Sequence, residues 1–241
     1  MSKLFVIIQA RMTSSRLPGK VLLPFGTQSV LETMLKRLSL LQENIIVATT
    51  NDGSETPIIE VCRKNKIKFY KGSTEDVLSR YCEAAESFGA TDSDVIVRLT
   101  SDCPFIDINL VLAAISEFKA NNHDMVSLGP HSGFPRGLDT CVFPFSLLKL
   151  THQKASNRSD REHVTLGMAK FKNIQVYNIS AAQDFSLYRI TLDEPDDYKM
   201  LSKLFEFFNY KTDFTFEQLI NALLTRPDIA KINQHVEQKI Y

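Results

Sequence analysis

Leu4-Phe5-Val6-Ile7-Ile8-Gln9-Ala10-Arg11-Met12-Thr13-Ser14-Ser15-Arg16-Leu17-Pro18-Gly19-Lys20 is the stretch that decides how the chain folds. Its first five residues are an unbroken apolar run, the pattern of a parallel strand covered on both faces. The loop that follows carries Arg11, Arg16 and Lys20 within ten residues, beside Ser14 and Ser15, with Pro18-Gly19 shaping its course. A loop leaving the carboxyl end of a parallel strand lies where open α/β sheets bind their ligands. Three cations, two hydroxyls and free backbone N–H groups suit it to wrapping a polyphosphate; on charge content alone, a solvated basic loop is the plainer reading. Neither the G-x-x-x-x-G-K-[ST] nor the G-x-G-x-x-G pattern is present.

Outward from this loop, strands and helices alternate. Ser29-Val30-Leu31-Glu32 has the form of a capping box, opening a helix to about residue 41 with Leu31, Leu35 and Leu38 on one face. Residues 44–49 read as a second strand, and Thr56-Pro57 starts a helix with the proline where no N–H is required. Residues 66–70 are a third strand, the polar turn 71–76 runs into a helix ending near 88, and 94–100 is the central strand. Asp107 caps a helix over 108–121, followed by a strand at 125–128. The repeated β-α alternation predicts an α/β protein with a mostly parallel central sheet covered on both faces: a three-layer α/β/α, Rossmann-like arrangement. Residues 129–139, rich in Gly and Pro and carrying His131 and Arg136, read as a functional loop, because regular structure resumes at 140–143 and 146–150. Further on, a helix is expected from 157 to about 171, strands at 174–179 and 188–191, and a helix to about 208. A second capping box at Thr215 opens a helix to about 224, and 228–235 is expected to be helical.

A chain of 241 residues suits one large α/β domain. Its 28 basic residues match 28 acidic ones, so no overall field points to nucleic acid or to an anionic membrane; any anion must be held by a local cluster. Cys62, Cys82, Cys103 and Cys141 are scattered, with no C-x-x-C pair, which suggests neither a zinc site nor a disulfide framework. The first residues lack a basic region followed by a cleavable apolar segment, and no stretch approaches the roughly 18 apolar residues of a membrane span. A soluble cytoplasmic protein is expected.

Ser101-Asp102-Cys103-Pro104 ends the central strand, on the same sheet edge as the basic loop. A carboxylate there could hold magnesium between phosphates, although an Asp turn before proline explains an isolated D-x-P. Asp193-Glu194-Pro195-Asp196-Asp197 opens a late helix, where the macrodipole alone accounts for most of the acidity.

I-I-Q-A-R-M-T-S-S-R-L-P-G-K-V-L-L-P (7–24), K-G-S-T-E-D-V-L-S-R-Y (71–81), R-L-T-S-D-C-P-F-I-D (98–107), F-P-R-G-L-D-T-C-V-F (134–143) and D-R-E-H-V-T (160–165) together resemble the cytidylyltransferases that make CMP-activated acidic sugars. The closest resemblance is to the branch named after spore coat polysaccharide biosynthesis protein F, and it covers nearly the whole chain. It implies a single nucleotidyltransferase domain over 1–241, with a nucleotide-binding half about 1–125 and an acceptor-binding half about 126–241. The implied reaction is transfer of CMP from CTP to an acidic sugar or sugar phosphate with release of pyrophosphate, for surface polysaccharide or glycan biosynthesis. The implied catalytic residues are Arg11, Lys20 and Asp102. The nucleotide is expected near Ala10, Arg11, Ser15, Arg16, Lys20, Thr50 and Arg98, and the anionic acceptor near Arg136, Asp139, Arg161, Glu162 and His163. Asp102 and Asp193 are the expected ligands of Mg2+.

Sialate-type enzymes carry D-x-D where this chain has Asp193-Glu194, so the second ligand departs from the pattern. His163 also fits a structural histidine near a helix start; as a base it would serve a hydroxyl acceptor and not a phosphate one. Asn233, His235 and Lys239 recur in the family's tail. Uridylyl and thymidylyl transferases open with G-x-G-T-R-L where this chain has Ala10-Arg11-Met12, which favours CTP. Partners other than CTP and the acceptor are not implied, beyond an allowed homodimer. A glycosyltransferase using nucleotide sugars, or a nucleotide-binding module without turnover, are the competing classes; the first predicts a D-x-D on a strand end, the second no metal carboxylates.

Overall fold

The structure is a computed structural model that describes residues 2–129 and 132–237; His131 and Lys239 lie outside the described residues. Its strands, in chain order, are β1 (Leu4–Gln9), β2 (Pro24–Phe25), β3 (Gln28–Ser29), β4 (Ile45–Thr50), β5 (Lys68–Gly72), β6 (Val95–Thr100), β7 (Met125–Leu128), β8 (Thr140–Pro144) and β9 (Val176–Asn178). All but the β2–β3 hairpin join one seven-stranded sheet in the order β5-β4-β1-β6-β8-β7-β9. β1 pairs in parallel with β4 and β6, and β4 with β5. β8 runs antiparallel to both of its neighbours, while β7 and β9 are parallel. Among the described residues no helix lies between β7 and β8, and such a return reverses strand direction.

The helices are α1 (Val30–Arg37), α2 (Thr56–Lys64), α3 (Val77–Ser87), α4 (Ile108–Ala120), α5 (Phe145–Lys154), α6 (Arg158–His163), α7 (Thr165–Met168), α8 (Pro195–Phe207), α9 (Phe216–Thr225) and α10 (Pro227–Ala230). Alternation along β1 builds the layers: Val6 and Ile8 pack with Leu31 and Met34 of α1, Ile58 of α2 and Val111 of α4. Phe5 and Ile7 face the other way, into Leu78 and Ala85 of α3 and Leu148 of α5. The expected three-layer α/β/α arrangement with a mostly parallel sheet is therefore the one observed. A third apolar cluster joins α8, α9 and α10 to Phe25 and Phe105, with the Phe25 and Phe205 rings stacked at 4.7 Å.

Local signals held at the caps and weakened at helix ends. The Ser29–Glu32 and Thr215–Gln218 capping boxes form, and Asp107 caps α4. The first helix stops at Arg37, and a 3-10 segment, Ser39–Asn44, takes over where a helix to 41 was expected. The helix expected over 157–171 breaks at Val164, whose φ of 56° and ψ of −65° cannot continue a helix. Positive φ strains a β-branched residue, by roughly 1–3 kcal/mol; the full burial of the Val164 side chain against the α3–α5 layer offsets that cost. Residues 188–191 form no strand, only a parallel bridge between Arg189 and Arg136, because Leu192 N–H turns away to the Asp102 carbonyl at 2.7 Å. Of 228–235, only the part within α10 is helical.

Candidate active site

The basic loop leaves β1 and Asp102 leaves β6, and since these strands are adjacent and parallel, both emerge at one sheet edge. There they border a cleft of about 210 Å³. Of the residues expected near the nucleotide, Ala10, Arg11, Ser15, Arg16, Lys20 and Arg98 line it. So do Arg136, Asp139, Glu162 and His163 from the expected acceptor side, together with Asp102 and Asp193.

Lys20 is the centre of the arrangement. Its ammonium donates to Asp102 Oδ2 at 3.1 Å, Asp193 Oδ1 at 2.9 Å and the Leu192 carbonyl at 2.7 Å. Burial disfavours its charge, but the two carboxylates outweigh burial and raise its pKa. Asp102 responds in kind: burial pushes its carboxyl up, yet Lys20 and a hydrogen bond from Thr100 hold it down at about 2. Asp193 is lowered as well, with burial and Asp102 opposing and Lys20 and Arg16 prevailing.

Behind this trio stands a buttress that the sequence reading missed. Arg189 donates to Asp193 Oδ2 at 2.8 Å and grips Asp197 through Nε and Nη2 at 2.9 and 3.1 Å. Asp197 is fully buried; it also accepts from the N–H groups of Asp193 and Glu194 and from Asn233 Nδ2. Asp197 is thus the far half of a capping box with Glu194 that sets the course of the chain at Asp193. The one sequence signal for Arg189 is a cation inside the apolar run Tyr188-Arg189-Ile190, four residues before Asp193. Asn233, singled out in the tail, supports this buttress; His235 instead pairs with Asp196 at 3.2 Å.

Charge in the cleft is unevenly balanced. Lys20 is neutralised as described, and Arg16 pairs with Asp193 and Glu194 at 3.1 and 3.0 Å. Arg136 donates to Asp139 at 3.2 Å. Gly137 lets this loop approach the 189–191 segment: at φ 116° a Cβ would stand 2.7 Å from the Ile190 carbonyl. Among the described residues, the side chains of Arg11 and Arg98 make no hydrogen bond or ion pair, and the buried Nε of Arg98 has no partner. His163 is held below the usual histidine range by burial; Glu162 opposes this, and Arg98 and Arg136 reinforce it. The imidazole is therefore neutral near pH 7 and able to accept a proton.

Two expected residues do not reach the cleft. Thr50 is fully buried at the end of β4, with its hydroxyl directed to Asp52 at 3.3 Å. Arg161 turns away and ties α6 to α3: Nε donates to Asp76 at 2.8 Å, and Nη1 to the carbonyls of His152 and Ala155. Gln9 and Arg80 line the cleft without having been anticipated.

Asp102, Asp193 and the Leu192 carbonyl converge on the Lys20 ammonium. No cluster of three or more His, Cys, Asp or Glu side chains that could enclose a metal occurs among the described residues. Two carboxylates completed by substrate phosphates and water suit magnesium, which seldom takes an all-protein cage. The four cysteines are buried free thiols; burial and Asp102 push Cys103 well above the usual range, so it offers no nucleophile.

A protein-family model described as cytidylyltransferase matches residues 5–231. The chain is 30% identical to spore coat polysaccharide biosynthesis protein SpsF of Bacillus subtilis over 240 residues, 95% of this chain and 98% of that protein. A solved cytidylyltransferase from Leptospira borgpetersenii serovar Hardjo-bovis superposes with a TM-score of 0.90 at 32% identity, covering both chains completely. The 3-deoxy-manno-octulosonate cytidylyltransferase of Pectobacterium carotovorum subsp. carotovorum is 31% identical over 124 residues, 51% of this chain and 49% of that one.

Proposed function

Since this chain belongs to the cytidylyltransferase family, we propose that it transfers CMP from CTP to an acidic sugar or sugar phosphate, with release of pyrophosphate, on the way to a surface polysaccharide or glycan. The observation that carries this reading is the Lys20 ammonium held between Asp102 and Asp193, in a cleft where the side chains of Arg11 and Arg98 make no ion pair among the described residues. Nucleotidyl transfer asks the protein mainly to align nucleophile and leaving group and to spread negative charge. Such a cleft supplies both cations and carboxylates along its lining.

In the proposed reaction an oxygen of the acceptor attacks the α-phosphorus of CTP, the bond to the β-phosphate bridging oxygen breaks, and pyrophosphate departs. Arg11, Arg16 and Lys20 take up the charge that develops on the leaving pyrophosphate. Asp102 and Asp193 would hold Mg2+, whose chemistry there is to polarise the α-phosphate and neutralise the triphosphate. Arg136, with Asp139 orienting it, grips the anionic group of the acceptor, as a guanidinium fork suits carboxylate or phosphate equally. If the attacking oxygen begins as a hydroxyl, His163 accepts its proton; a phosphate monoester needs no base. The enzyme would work in the cytoplasm.

The test is to incubate the purified protein with each nucleoside triphosphate, Mg2+ and a panel of acidic sugars, 3-deoxy-manno-octulosonate among them, and sugar phosphates. Acceptor-dependent pyrophosphate release with CTP supports the reading. Release only with UTP, or nucleotide-sugar consumption without pyrophosphate, overturns it.

A further inference from the structure

Arg98 stands on β6, and the alternation of that strand fixes where its side chain goes. Val95, Val97 and Leu99 pack into the layer of α1, α2 and α4, so Ile96 and Arg98 face the layer of α3 and α5. Its register partners are Ile7 of β1 and Cys141 of β8. A half-buried guanidinium thus lines the cleft where Ile96, one step back on the same face, belongs to the core. Nε is buried without a partner, the two terminal nitrogens reach the cleft, and no carboxylate of the described residues lies within ion-pair distance. Withdrawing a guanidinium from water without a counter-charge is costly, unless a ligand supplies one.

The neighbours of Arg98 say which ligand. Burial works against its charge, and Tyr81, Cys141, Asp139 and Asp102 together outweigh burial. Cys141 lies on β8, and Asp139 on the segment that leads from Arg136 into it. Arg98 and Arg136 in turn both bear on His163, at the end of α6. The loop after β1, by contrast, turns down on the opposite layer, where Val21 joins the cluster of Leu31 and Met34, and its Arg16 and Lys20 gather at Asp193. Arg98 keeps company with the acceptor-side groups, although the family resemblance set it near the nucleotide.

We infer that Arg98 is a ligand of the acceptor and not of CTP: with Arg136 it holds the acceptor's anionic group, carboxylate or phosphate, beside His163. The inference rests on the functional reading above and deepens it. Arg136 already shares its charge with Asp139, so alone it offers an anion little net attraction. Arg98 has no such partner and supplies the missing charge. It also sets specificity. An anionic acceptor gives Arg98 the counter-charge that the chain withholds, whereas a neutral sugar would leave the guanidinium desolvated and unpaired.

Steady-state kinetics of wild-type protein, Arg98→Met and Arg98→Lys test this, with CTP, Mg2+ and the panel above, in which 3-deoxy-manno-octulosonate carries a carboxylate and glucose 1-phosphate a phosphate. The acceptor that best drives pyrophosphate release identifies the anion. For that acceptor, Arg98→Met should raise KM by on the order of 10²-fold, the worth of one charge-assisted bond, and leave the CTP KM within about threefold. Arg98→Lys keeps a positive charge without the fork; it should recover about tenfold of that loss, which a merely structural role would not produce, and it serves if the Met variant fails to fold. Calorimetric titration of CTP with Mg2+, acceptor absent, should give the three proteins dissociation constants within about threefold of one another. The inference is overturned if the variants weaken CTP by about tenfold or more, which would make Arg98 a nucleotide ligand, or if the acceptor KM stays at its wild-type value. Wild-type protein that turns over no acceptor of the panel overturns the functional reading, and this inference with it.

Discussion

Replacing Lys20 by methionine removes an ammonium that three oxygens converge on while keeping most of its apolar stem. Asp193 retains Arg16 and Arg189 at 3.1 and 2.8 Å, but Asp102 loses its only ion-pair partner among the described residues. Asp102 is held at about 2, below its ordinary 3.8, and that depression corresponds to ~2 kcal/mol of stability at neutral pH. The sign follows from the direction: a depressed carboxylate stabilises the fold above its unfolded pKa, and the contribution fades as pH falls from about 4 toward about 2. In the variant, burial is opposed only by the Thr100 and backbone hydrogen bonds and moves the Asp102 pKa upward, so its charge becomes a liability at pH 7 that protonation relieves on acidification. Breaking a buried pair costs about 3–5 kcal/mol, and the partial exposure of this site lowers the figure to about 2–4. For a domain of this size that is a fall in Tm of roughly 5–15 °C. Melting curves of both proteins from pH 7 down to pH 4 are the assay. The gap should be widest at pH 7, narrow toward pH 4 and close in part with added Mg2+. A variant melting within about 2 °C of wild type at pH 7, with a gap that does not change with pH, would refute the reasoning.

Lys20→Ala should also lower turnover by on the order of 10²-fold or more, read as pyrophosphate release, because a donor to developing charge is gone. Asp102→Asn should impair Mg2+-dependent turnover more than Asp193→Asn, a ranking that metal titrations of the two variants decide. Arg136→Ala should raise the acceptor KM and leave the CTP KM nearly unchanged. Arg161→Ala, by contrast, should lower stability by about 1–3 kcal/mol through its lost bonds to Asp76 and two carbonyls; a denaturant titration checks this, and steady-state kinetics should find the acceptor KM near wild type. With a hydroxyl acceptor, kcat should rise as pH climbs through a His163 pKa lying below 6.5, and His163→Gln should erase that limb of the profile.

The elements most legible in the sequence were those whose cause is local. The apolar run before Ala10 had to be a strand buried on both faces, and Ser29, Asp107 and Thr215 had to cap helices, since each satisfies orphan N–H groups within its own first turn. Helix ends were less legible. Nothing in the composition of 157–171 announces that burying Val164 would force a positive φ. Residues 188–191 carry a strand pattern, but only the Tyr188 carbonyl and the Ile190 N–H pair with the Arg136 backbone before Leu192 turns to Asp102, too few partners for a ladder.

The same division runs through the site. By itself the sequence determined that the basic loop and Asp102 share a sheet edge, because each follows a strand of the parallel core and strand direction alone puts both at that edge. Which charges would meet was decided only by the tertiary structure. Lys20 reaches Asp102 and Asp193 across 82 and 173 residues, and Arg189 and Asp197 buttress that meeting through a helix start whose acidity looked like ordinary capping. Arg161 and Arg80 carry the same fork, yet α6 packing turns the first toward Asp76, while the missing Cβ of Gly72 admits the second to the cleft. The physical reason is range: hydrophobic period and caps are read within a few residues, whereas a long charged side chain takes its direction from whichever backbone and counter-charge the fold sets beside it.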